Sequence, residues 1–141
     1  DIMATIADVL DVELQENAAE DSFSLLPVLH NPQKPVRIHA ISQGSKGLLA
    51  LRMGDWKLLF GPGGGGYWSS QSATKPDGQP AQLYNLAEDI GETKNVYADH
   101  PEIVEKMTAL MEKLVTQGRS TPGTAQKNDV VVQWERFLKS Q

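Results

Sequence analysis

Apolar and polar positions alternate most clearly between Gly47 and Phe60. Two short apolar runs, Leu48–Met53 and Trp56–Phe60, flank Gly54-Asp55. Turn formers between two such runs predict a β-hairpin. With a period of two, Trp56, Leu58 and Phe60 share one face, and Lys57 and Leu59 share the other. Leu49 and Leu51 likewise oppose Ala50 and Arg52. Trp56 is expected in the hairpin's buried centre. The same alternation predicts a strand over Val36–Ser42 and another over Gln82–Leu86, where Gln82, Tyr84 and Leu86 oppose Leu83 and Asn85.

Helical spacing governs two other stretches. Ile2, Ile6, Val9 and Leu10 form one apolar face and predict a helix from Ile2 to about Leu14. From Asp99 to Gly118 every signal agrees. Asp99 is the expected N-cap with Glu102 three residues on, and Pro101 stands in the first turn. Ile103, Met107, Leu110, Met111 and Leu114 make the stripe, and Gly118 closes it. Pro32 and Pro35 mark His30–Pro35 as a linker. Gly61–Pro80 has no periodicity. Gly118–Asp129 reads as a surface tail, and Val130–Leu138 as a final strand or short helix. The fold expected is α+β, a small antiparallel sheet of about four strands packed against the long C-terminal helix.

Composition narrows the function classes. The 141 residues are 40% hydrophobic and 22% charged, ordinary for a globular chain, with a formal net charge of -5. That balance argues against general nucleic-acid binding. There is no cysteine, so disulfides and thiolate metal sites are excluded. No apolar run approaches the roughly 20 residues of a membrane helix.

An ordered series of short motifs adds a resemblance. Ala50-Leu51-Arg52 and Gly54-Asp55-Trp56-Lys57-Leu58 are followed by Gln82-Leu83-Tyr84-Asn85-Leu86, Glu88-Asp89, Gly91-Glu92-Thr93, Asn95-Val96 and His100-Pro101-Glu102. Over roughly residues 36–120 this series resembles the C-terminal region of the formylglycine-dependent arylsulfatase family. Ala4-Thr5-Ile6-Ala7-Asp8-Val9-Leu10 and Ser24-Leu25-Leu26-Pro27 are similar to the segment just before it. The resemblance implies that residues 1–30 end a preceding catalytic α/β domain and that residues 31–141 form the C-terminal subdomain. Periodicity alone leaves the first helix equally able to pack on this chain's own sheet.

The resemblance also implies what is missing. The family's nucleophile is a formylglycine made within Cys/Ser-x-Pro-x-Arg, and calcium positions the sulfate. Ser120-Thr121-Pro122 is followed by Gly123-Thr124, without the arginine, and reads as a loop. Asn128-Asp129 falls short of the six to eight oxygens calcium takes. No catalytic or metal residue is therefore expected here, and the chain alone should be inactive. Calcium and formylglycine belong to the parent enzyme.

Five residues are candidates for the rim of a substrate pocket. His39 lies about two residues from the place where family members often carry His. Gly64 and Gly65 allow close backbone approach, and Tyr67 and Trp68 offer rings for stacking on a sugar or aryl group. Arg52 and Lys57 either attract a sulfated ligand or pair with nearby acids. The expected partners are the missing N-terminal catalytic domain and, through it, a sulfated substrate, with no nucleic acid and no membrane. An unpartnered apolar face would also favour self-association. The resemblance points to a periplasmic or secreted parent. The rival reading is a stand-alone, non-catalytic binding module that uses the glycine-rich, aromatic loop.

Overall fold

The computed structural model describes residues 1–45, 47–63, 78–136 and 138. Its contacts divide into two units, Asp1–Ile38 with Met111–Val132, and His39–Leu110 with Gln133–Gln141.

The second unit holds the sheet. Strands β1 (His39–Gln43), β2 (Leu49–Met53), β3 (Trp56–Leu59) and β4 (Gln82–Asn85) follow each other in spatial order, all antiparallel. Met53 pairs with Trp56, so Gly54-Asp55 is a two-residue turn. Gly54 has φ +59°, the positive value that a type II′ turn requires at its first central position. Pairing runs Ile41–Leu51–Leu58–Leu83 across the strands. Leu51, Leu58 and Leu83 in that row are fully buried. On the opposite face Leu48, Ala50, Leu59 and Tyr84 form a second buried cluster, with Leu86 against it. The facing predicted from alternation therefore holds, and β2, β3 and β4 carry buried residues on both faces, whereas β1 is largely exposed. Trp56 is only half-buried, tilted against the His100 ring at 5.0 Å between centroids.

Strand β1 begins at His39 rather than Val36. His39 pairs with Met53, the last residue before the turn, so β2 offers Ile38 nothing to pair with. The free edge of β4 is covered. Asn95 Oδ1 accepts from Leu83 N–H, its Nδ2 donates to Ala81 O, and Val96 N–H donates to Leu83 O. Such cover hides an edge from unwanted strand pairing. Asp89 shapes the turn leading there, accepting at Oδ2 from the N–H groups of Thr93 (2.7 Å) and Lys94 (2.9 Å).

Helix α3 (Pro101–Gln117) begins one residue later than the capping box implies. The His100 carbonyl accepts the first helical bonds, which makes His100, not Asp99, the N-cap, with Pro101 at the first position. Met107, Met111 and Leu114 of its stripe are buried, and Ile103 and Leu110 are half-buried. Gly118 closes it at φ +60°.

In the first unit, α1 (Ile2–Val9) is shorter than the spacing predicts. Asp11 adopts φ +54°, its N–H donates to Asp8 O, and Val12 N–H donates to Ala7 O. This is a Schellman closure, which apolar periodicity cannot reveal. A short α2 (Leu26–His30) carries Pro27 in its first turn. The stretch after Gly118 is a clasp rather than a loose tail. Arg119 is buried, donates to Glu16 O and Thr124 O from Nη1, and lies 3.7 Å from the Glu16 carboxylate. Ser120 and Thr121 N–H both donate to Glu20 O. Val130–Leu138 forms neither strand nor helix among the described residues. Val130 and Val131 are exposed, and turns follow from Trp134, whose ring meets Phe60 edge-on at 5.2 Å.

Candidate functional site

Alternation and register decide which candidate residues share a surface. His39, Met53, Trp56 and Asn85 form one row across the sheet at its hairpin end, all half-buried, with His100 against Trp56. Gly64, Gly65, Tyr67 and Trp68 lie outside the described residues. The root of their loop is described, and a buried amide holds it. Gln82 Nε2 donates to Gly61 O at 3.0 Å and to Gly63 O at 2.9 Å. Tyr84 O–H donates to Gln82 Oε1 at 2.7 Å, so both ends of the amide are used.

His39 and this root are not brought together. His39 pairs with Met53, whereas Phe60 N–H, just before the root, bonds Leu49 O at the other end of β2. Four residue steps of about 3.3 Å separate the two ends. Gln82 and Tyr84 also lie on the face opposite the His39 row. Sequence reasoning placed Gln82 and Tyr84 on one face without seeing their use. No local signal in the sequence could have shown it.

Of the two strand cations, Lys57 is committed to an acid, with Nζ 2.6 Å from Glu92 Oε1. Arg52 donates from Nε to Gly54 O at 3.3 Å and is exposed. Among the described residues no group of three His, Cys, Asp or Glu side chains could hold a metal ion. No described helix is long and apolar enough to cross a membrane.

Two carboxylates, the half-buried Asp89 and the exposed Glu16, are drawn below their ordinary range. Asp89 is stabilised as the anion chiefly by Lys94 N–H, with Thr93 and Gly91 adding to it. Glu16 is held down chiefly by Thr124 N–H. A carboxylate whose folded pKa is depressed contributes stability above its unfolded pKa and loses it as pH falls through the folded value. On acidification below about pH 4, the ordinary aspartate range, the stability gap between the parent chain and Asp89→Asn should therefore narrow. Urea midpoints of both chains across that window check this. A gap that stays constant would show that Asp89 is not held as an anion by these donors.

No family model matches the chain. Over 119 residues, 83% of its length, the chain is 33% identical to an N-acetylgalactosamine-6-O-sulfatase of Bacteroides thetaiotaomicron, and the match covers 23% of that protein. It is also similar to a solved sulfatase described with the metabolism of multiple glycosaminoglycans by Bacteroides thetaiotaomicron. There the TM-score is 0.66 and the identity 31%, over 81% of this chain and 24% of that one. A structure solved with its substrate, D-glucosamine-2-N,6-O-disulfate, shares the fold at a TM-score of 0.53 and 18% identity, over 80% of this chain and 22% of the other. The chain thus spans about a quarter of the length of the relatives it matches.

Proposed function

We propose that this chain, which resembles sulfatases over most of its length, is the C-terminal part of a sulfuric ester hydrolase and caps the catalytic domain of that enzyme. The observation that carries the reading is the match itself, which takes in most of this chain and only a quarter of a sulfatase. The α+β fold supports it, with a four-stranded antiparallel sheet, a long helix after the sheet and a helix at the start.

In this reading the loop with Gly64, Gly65, Tyr67 and Trp68 contributes to the substrate rim, and His39, at the other end of the sheet from the loop's root, contributes to a separate part of it. Gln82 positions the loop by gripping the carbonyls of Gly61 and Gly63. The residues of this chain do not fit the family's reacting groups. The sequence has no Cys and no Ser-x-Pro-x-Arg from which to make a formylglycine. Nucleophile and calcium are therefore assigned to the catalytic domain, and the sulfated substrate reaches this chain only through it.

The isolated chain should release no sulfate from an aryl sulfate in the presence of calcium. Exchanged for the matching segment of the Bacteroides thetaiotaomicron sulfatase, it should support hydrolysis of that enzyme's substrate. Turnover by the repurified isolated chain would contradict the assignment, as would a folded but inactive exchange protein.

A further inference from the structure

The glycine-rich loop leaves the sheet on residues that cannot anchor it by packing. Gly61 and Gly63 carry no side chain, and Pro62 between them fixes one φ. Whatever holds Phe60 and the two glycine carbonyls therefore sets the direction in which the chain departs. Phe60 is the last large apolar side chain before the loop and is 1% exposed. Its N–H continues the ladder of β2 and β3 by donating to Leu49 O at 3.0 Å. By alternation its ring lies on the face of Leu58. Gln82 pairs with Leu59 and reaches Gly61 O and Gly63 O from the opposite face.

Trp134 meets the Phe60 ring edge-on, at 5.2 Å between centroids and 85° between planes, a favoured aromatic arrangement. Trp134 is half-buried and belongs to the same unit as the sheet. A turn closed by Arg136 N–H on Gln133 O at 3.2 Å presents the ring. Without that ring Phe60 loses its contacts on one side and can shift, and Gly61 moves with it. We propose that Trp134 is a positioning residue for the substrate rim, holding the loop root through Phe60 on one face of the sheet while Gln82 holds it on the other. This rests on the function proposed above and adds a residue that sets where the rim stands.

Hydrogen exchange of the Gln82 side-chain amide, followed by NMR on the isolated chain, and kinetics of the exchange protein just described test it together. In Trp134→Ala the Gln82 amide should exchange several-fold faster than in the parent chain, with the main-chain amides of β2 and β3 unchanged. Trp134→Phe, which keeps a ring against Phe60, should restore the slow rate. In the exchange protein Trp134→Ala should raise KM several-fold and leave kcat nearly unchanged, again with rescue by Trp134→Phe. An unchanged Gln82 amide overturns the proposal. Equal acceleration throughout β2 and β3 overturns it too, because Trp134 then serves only the stability of the sheet, and so does an unchanged KM. The two readings separate cleanly. An exchange protein that is inactive even with Trp134 in place removes the function and the rim, and a faster Gln82 amide then upholds Trp134 as the holder of the root. Hydrolysis with an unmoved KM in Trp134→Ala keeps the function and removes the positioning role.

Discussion

Replacing Leu58 with alanine is expected to cost about 2–5 kcal/mol of stability, the usual range for a fully buried leucine. Leu58 is 1% exposed and sits mid-row, paired with Leu51 on one side and Leu83 on the other, each of them at 0%. Its strand has neighbours on both sides, so the backbone cannot easily move in to fill the cavity. Trp56→Ala should cost less despite the larger side chain, because Trp56 is half-buried at the hairpin end. Chemical denaturation of both variants checks the order. A larger loss at Trp56 would mean that the packing centre lies at the turn and not at the Leu51–Leu58–Leu83 row.

Gly118→Ala should be nearly as damaging, at roughly 2–4 kcal/mol, for two reasons that add. Gly118 has φ +60°, a conformation that costs a residue with a Cβ more than it costs glycine. The space is also taken. A Cβ there would lie 2.3 Å from the backbone oxygen of Gln126, the residue whose N–H bonds Gln117 O to close the chain over the helix end. Backbone cannot rotate aside as a side chain can, so the clasp from Gly118 to Gln126 must shift. Gly54→Ala is the contrast. Gly54 has a similar φ of +59° but nothing within 4 Å of the added carbon, so only the backbone strain applies. Thermal melts that rank the two variants equally would contradict the steric part of the argument.

Much of the sheet was legible in the sequence because its signal is local. Alternation gave the facing of Leu58 against Leu59 and of Leu83 against Tyr84, and Gly54-Asp55 placed the turn. Errors came where a distant group decides. Nothing in Val36–Ile38 says that its partner strand stops at Met53. Nothing near Leu10 says that Asp11 turns left-handed. Arg119 looked like one more polar residue of a tail, because its partner Glu16 stands 103 positions earlier in the chain. For the rim, spacing could nominate His39 but could not show that it lies at the opposite end of the sheet from the root of the glycine-rich loop. The grip of Gln82 on that root was invisible too, since a glutamine on a strand carries no mark of what it will bind.

Peptide mapping of the native polypeptide that contains these residues tests the central claim most directly. The account predicts a single longer chain in which a Cys/Ser-x-Pro-x-Arg peptide, carrying formylglycine in place of its first residue, lies upstream of Asp1. A native polypeptide with no such peptide before Asp1 would contradict it.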